Sequence, residues 1–306
     1  MRIAVIDDSV PPSRKDAKFQ PREGGTILTS YAIFEQYAND VEYISPADLK
    51  FIDCVEKDCV WVICNIFGAL TPESTTNILW LLRNRTCFKI EFDYGFCFWR
   101  CPTGHRHFKN EDCNCFHQKV DDTKLPPVGV IYKEITERCR HIFYMSQKQL
   151  ELHIQYTQKG NADRSVLSSC FTKKTFDSFD KLRSNTKNEE YLIIAGEPGW
   201  HREAKGVETS IAYAKKHELK YNLVATKTHD EMLEKMSRHK GLIFLPYIED
   251  TCPRVVIEAK LLGLELLINQ NCQHITEDWW KGSIEEITNY LKQRPQYLRE
   301  TIEKYV

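Results

Sequence analysis

Residues 241–263 read GLIFLPYIEDTCPRVVIEAKLLG. The apolar run from Gly241 to Pro246 has the length of a strand buried on both faces. A polar turn follows. Arg254 to Leu262 then has the composition of a helix packed on its neighbours, and Gly263 stands where a helix ends in the left-handed conformation. Strand, turn and helix in this order make half of a βαβ unit, the building block of a parallel sheet.

The same alternation extends on both sides. Tyr191–Ala195, Tyr221–Ala225 and Leu264–Ile268 read as strands. Val207–Lys216 and a helix capped by Thr228 and Glu231 lie between them. A last helix runs from Ser283 to Tyr305, interrupted near Pro295. Upstream, Arg2–Ile6, Val41–Ile44, Cys59–Phe67, Cys87–Phe92 and His141–Met145 read as strands. Helices are expected at Thr26–Tyr37, Thr75–Leu82, Tyr132–Cys139 and Gln147–Tyr156, the last capped by Ser146. A short run, Ser165–Ser169, follows the polar stretch Thr157–Arg164. Polar stretches near 160–185 suggest the joint. The expected division is an N-terminal Rossmann-like domain, 1–165, and a C-terminal one, 166–306.

The chain has 306 residues, with 42 basic and 43 acidic side chains, a formal net charge of -1. That balance argues against a protein coated in positive charge for general nucleic-acid binding. The N-terminus lacks the pattern of a signal peptide, and no apolar run approaches the ~20 residues of a membrane helix. A cytoplasmic, reducing location is therefore expected, and the 12 cysteines are read as thiols or metal ligands rather than disulfides.

Three loops fall where open α/β sheets bind ligands, at strand carboxyl ends beside helix N-termini. In the first, Gly24, Gly25 and Thr26 would let backbone approach an anion; an ordinary glycine turn is the simpler alternative. The second, residues 196–206, sets His201, Arg202 and Lys205 beside a helix start, where cations suit a diphosphate. The third carries the carboxylates Glu249 and Asp250, then Thr251, Cys252 and Arg254 around a helix N-terminus. One turn further, Glu258 is flanked by Val255, Val256, Ile257 and Ala259. A buried glutamate there would accept the hydroxyls of a ribose.

These motifs resemble those of the GT-B glycosyltransferases, above all the retaining family four, in a compact form similar to phage or bacterial members. The matches are Gly24-Gly25, Arg202 with Lys205-Gly206, and Asp250 spaced seven residues from Glu258 before Gly263. The resemblance implies two Rossmann-like domains facing a central cleft, with a C-terminal helix crossing back. It implies a nucleotide-sugar donor of UDP or GDP type, with Arg202 and Lys205 on the diphosphate and Glu258 on the ribose. Two departures stand out. Thr251-Cys252-Pro253 replaces the usual Gly-Phe-Gly, and Glu91-Phe92-Asp93-Tyr94 replaces the N-domain histidine. Glu91, Asp93 and Asp250 are the expected catalytic acids. Cations and a helix N-terminus would stabilise the leaving diphosphate without a divalent metal. Glu91 and Asp93 can alternatively be read as an acidic metal motif.

Residues 96–127 lack periodicity and hold Cys97, Cys101, His105, His107, Cys113, Cys115 and His117. A segment of this length without secondary structure needs something to hold it. Cys97, His105, Cys113 and Cys115 are the expected ligands of a structural zinc ion, with Cys101 and His107 as substitutes. Unbound thiols or an iron–sulfur cluster are the alternatives. The acceptor is a saccharide or a modified base of DNA, for which Arg14, Lys15, Lys18 and Arg22 would hold the backbone. Other readings are a nucleotide-sugar epimerase and a non-catalytic nucleic-acid-binding protein with a zinc module.

Overall fold

The structure, a computed structural model, describes residues 1–10, 24–35, 39–117, 128–195 and 199–306, without the side chains of Trp200 and His201. The basic stretch at Arg14, Lys15, Lys18 and Arg22, the far end of the Cys/His-rich segment and Gly196 lie outside the described residues.

In chain order the first elements are β1 (Ile3–Ile6), α1 (Gly25–Phe34), β2 (Val41–Ile44), α2 (Phe51–Glu56), β3 (Val60–Ile63) and α3 (Pro72–Asn84). Next come β4 (Cys87–Glu91), α4 (Pro102–Lys109), α5 (Val128–Arg138), β5 (His141–Tyr144), α6 (Gln147–Thr157), β6 (Asp163–Val166) and α7 (Lys173–Leu182). Then follow β7 (Tyr191–Ile194), α8 (Trp200–Ala204), α9 (Val207–Lys216), β8 (Tyr221–Val224) and α10 (His229–Ser237). The chain ends with β9 (Gly241–Phe244), α11 (Arg254–Leu261), β10 (Glu265–Ile268), α12 (Ile284–Lys292) and α13 (Arg294–Glu303).

Two compact units result. Among the described residues, unit one holds 1–10, 34–167 and 295–306, and unit two holds 24–33 and 168–294. Unit one has a six-stranded sheet of order β2-β1-β3-β4-β5-β6, parallel throughout. Its central strands are mostly apolar because both faces are covered: Ile6, Trp61, Val62, Phe88 and Phe143 are fully buried, and β4 also buries a charged pair, Lys89 and Glu91. Unit two has a four-stranded parallel sheet, β10-β9-β7-β8, over a core that includes Ile193, Val207, Ala214 and Ile243. The chain's end returns to unit one. Tyr305 sets its ring 5.9 Å from Phe88 and donates its hydroxyl to Asp163.

The structure differs from the sequence expectation in several places. The division is not one cut near 165, since residues 24–33 count with unit two and 295–306 with unit one. The joint near 160–185 is built of β6 and α7 rather than loop. Phe176, Phe179 and Leu182 recur at helical spacing in α7, and Thr172 caps it, accepting the Thr175 N–H at 3.1 Å. β3 stops at Ile63 although the apolar run continues, because Ile66 buries a turn at the sheet's end instead. Residues 96–127, which lack periodicity in sequence, nevertheless contain α4, opened by Pro102 and closed by Asn110 in the left-handed conformation (φ 57°).

Candidate functional site

In unit two, β8 and β9 lie on opposite sides of β7, so the chain reverses its direction of travel across the sheet between them. Ligands of open parallel sheets bind at the strand carboxyl ends flanking such a reversal. A cavity of about 330 Å³ sits there, walled by Ile194 at the end of β7 and Phe244 at the end of β9. This is within the range of about 300–1,000 Å³ typical of small-molecule sites. Leu28 and Met232 add apolar wall.

Five of the residues expected from the sequence line this one cavity: Gly25, Lys205, Asp250, Arg254 and Glu258. Glu258, 3% exposed, accepts on Oε1 from Arg254 Nε at 2.8 Å and from His229 Nε2 at 2.8 Å. Burial alone would raise its pKa, but the His229 hydrogen bond and the Arg254 charge outweigh that and hold it below the ordinary value. It is therefore a carboxylate. Arg254, 6% exposed, spans three partners: Glu258, the Cys170 carbonyl at 2.6 Å and Thr29 Oγ1 at 3.4 Å. Its guanidinium also lies 4.0 Å from the Phe171 ring centroid. Arg254 thus braces the site from within.

Lys205 Nζ pairs with Asp250 Oδ2 at 2.5 Å. Asp250 is fixed by its backbone, donating N–H to Asn271 O at 2.8 Å and accepting from Gln273 N at 2.9 Å. Behind Lys205, Gly206 has φ +66°, and a Cβ there would lie 1.8 Å from the Leu245 carbonyl oxygen. Only glycine permits this approach of the α9 N-terminus to the end of β9. The N-terminus of α11 follows Pro253, which has no side-chain cap bond to offer, and the Val256 N–H bonds the Pro253 carbonyl at 3.0 Å.

The other expected residues stand apart from the cavity wall. Gly24 precedes α1 with nothing within 4 Å of an added Cβ, and Gly25 would meet only Arg254 Cβ at 3.6 Å, so protein sterics do not require the pair. Thr26 lies in the first turn of α1. Arg202 binds Glu208 at 2.7 Å. Glu249 precedes Asp250 in the loop, Thr251 is 7% exposed, and Cys252 accepts from Ser169 Oγ at 3.4 Å. The side chain of His201 lies outside the described residues.

His229 was not anticipated. Its sequence signal is its place directly after the cap Thr228, which accepts the Glu231 N–H at 3.3 Å and so starts α10 at the end of β8.

In unit one, Glu91 is fully buried. It accepts from the Gly95 N–H at 2.9 Å and from the Tyr132 hydroxyl, and Lys89 Nζ lies 3.5 Å away. Burial pushes its pKa up. Asp93, 33% exposed, is held by Arg100 at 3.2 Å, and the same guanidinium reaches Asp8 at 3.3 Å. Cys97, His105, Cys113 and Cys115 also come together, with ligand atoms all within 4.8 Å of one another. Cys101 and His107 are not in that group.

No protein-family model matches the chain, and no curated protein matches it. Solved structures do. Trehalose-6-phosphate synthase OtsA superimposes with a TM-score of 0.59 at 8% identity, over 100% of both chains. An E. coli structure bound with UDP-2-fluoro glucose gives 0.58 at 7% identity, again over 100% of both. HepE of Anabaena in complex with UDP gives 0.54 at 12% identity, over 99% of this chain and 100% of that one. At such identities the likeness is one of fold, and it is complete along the chain: two parallel-sheet, Rossmann-like units of the GT-B type.

Proposed function

We propose that the protein is a glycosyltransferase that moves a sugar from a UDP-type donor, with the nucleotide in the unit-two cavity. The observation that carries this is Glu258, a buried carboxylate at a sheet reversal, kept ionised by His229 and Arg254 on one oxygen. Its second oxygen, Oε2, serves the paired hydroxyls of a ribose. The first turn of α11 receives the diphosphate. Lys205, half-exposed beside Asp250, serves the same phosphates together with Arg202. As the sugar–phosphate bond breaks, negative charge grows on the diphosphate, and these cations and N–H groups meet it without a divalent ion. UDP is favoured because three solved structures of like fold are bound to UDP, UDP-glucose or UDP-2-fluoro glucose. Retention of configuration is the course implied by the family-four resemblance.

Asp93 and Asp250 are the acids we assign to catalysis. Glu91, saturated by its buried partners, acts as a positioning residue at the end of β4.

The test is a thermal-shift series with UDP, GDP, ADP, TDP and CDP sugars, followed by label transfer from the best donor to saccharides and to modified DNA. A ligand of the folded state raises the melting temperature with ln(1 + [L]/Kd). UDP-sugars should give the largest shift and labelled product. A chain that no nucleotide sugar stabilises, and that releases no sugar from any, is not this enzyme.

A further inference from the structure

We propose that Cys97, His105, Cys113 and Cys115 form a closed, structural zinc site, which fixes the Tyr94–Arg100 turn and so the placement of Arg100 between Asp8 and Asp93.

The spacing suits a tetrahedral site. Zinc bonds of about 2.0–2.3 Å require ligand atoms about 3.4–3.8 Å apart. His105 Nδ1 lies 3.7 Å from Cys97 Sγ and 3.3 Å from Cys115 Sγ, and all four ligand atoms fall within 4.8 Å of each other. Three sulfurs and one imidazole nitrogen suit zinc, and four protein ligands leave no position for substrate.

The surroundings are built for a metal. His105 offers Nδ1 to the sulfurs, and its Nε2 lies 3.4 Å from Glu111 Oε1. A carboxylate on the far nitrogen fixes the ring and its tautomer, as at metal-bound histidines. His105 comes from α4, which brings it to the cysteines, and Asn110 ends that helix just before Glu111. The Phe98 backbone N–H points at Cys115. Cys101 is turned away to Thr103 Oγ1, 3.0 Å distant, so the fifth nearby sulfur or nitrogen is not needed.

The consequence lies in the turn. Tyr94 N donates to Arg100 O at 3.2 Å, Cys97 N to Tyr94 O at 2.8 Å and Arg100 N to Cys97 O at 2.8 Å. Arg100 takes φ 54°, which a non-glycine residue rarely adopts. Cys97 sits at the centre of these bonds. A metal on its sulfur holds the turn, and Arg100 then reaches both Asp93 and Asp8.

The experiment measures metal, so it stands whatever the enzyme's substrate proves to be. Full-length protein prepared without chelator should carry about one zinc per chain by elemental analysis. Cys115→Ser and His105→Ala should lose at least about nine-tenths of it, while Cys101→Ser keeps it. Cobalt(II) added to the chelated wild-type chain should show the visible bands and sulfur charge transfer of a tetrahedral thiolate site, which covers the case of variants that fail to fold. On chelation, hydrogen exchange should rise across residues 94–117 and stay unchanged in unit two. Folded, reduced wild-type protein that takes up neither zinc nor cobalt overturns the proposal. So does a Cys101→Ser variant that loses zinc as completely as Cys115→Ser.

Discussion

His229 donates from Nε2 to Glu258 Oε1 at 2.8 Å, and the two side chains are 10% and 4% exposed. The donor is assigned by chemistry: an ionised carboxylate only accepts, so the proton is on the imidazole. This bond ties the start of α10 to α11 in the cavity wall. Its removal in His229→Ala should cost about 1.5–3 kcal/mol, the scale of a hydrogen bond to a charged group. UDP affinity should fall about tenfold, because the carboxylate is no longer oriented. Urea unfolding and calorimetric titration measure the two effects separately.

Lys205→Ala should separate stability from catalysis. The Lys205–Asp250 pair is half-exposed on the lysine side, so its loss changes stability by at most about 1 kcal/mol. Loss of charge stabilisation at the leaving diphosphate should lower the transfer rate by about a hundredfold. Unchanged kcat/KM in a folded variant removes Lys205 from the diphosphate site.

Gly206→Ala should be the converse. The new methyl would meet the Leu245 carbonyl at 1.8 Å in a backbone of φ +66°. A loss of about 2–4 kcal/mol is expected, with weakened nucleotide binding because the α9 N-terminus shifts. A melting temperature equal to wild type would contradict the approach of α9 to the end of β9.

Acid should act through Glu258. Its folded pKa lies below the ordinary 4.5. The stability it contributes is therefore complete above about pH 4.5 and is lost as pH falls through the folded value. Glu258→Gln removes that contribution and leaves Arg254 buried without its counter-charge, costing about 3–5 kcal/mol at neutral pH. The gap between wild type and variant should narrow between pH 7 and pH values below 4.5, read from urea midpoints. A gap that widens in acid would show that the native carboxyl is protonated more easily than the unfolded one.

Much of this molecule could be read from local pattern. Ser146 caps α6, Gly263 takes φ +73°, and Pro295 falls in the first turn of α13, just past the break at Gln293, all as residue type dictates. Glu258 among apolar neighbours and the grouping of Cys97, His105, Cys113 and Cys115 were equally legible. Partnership was not. α2 packs beside α3 and α7 beside α10, and no local repeat names those partners. Glu91 was expected to meet substrate, yet it is buried against Lys89 and Tyr132, which lies 41 residues further on.

By itself, then, the chain's periodicity determined the alternation of strands and helices, because burial on one or two faces leaves its mark on consecutive residues. Its residue chemistry determined which side chains could bind an anion or a metal. Tertiary structure alone decided the convergence: His229 on Glu258, Lys205 on Asp250, Arg100 on Asp8. It also assigned residues 24–33 to unit two and the last helix to unit one. The reason is physical. Those contacts follow from the order β10-β9-β7-β8 and from β2-β1-β3-β4-β5-β6, and strand order is set by packing over the whole chain, which no local repeat encodes.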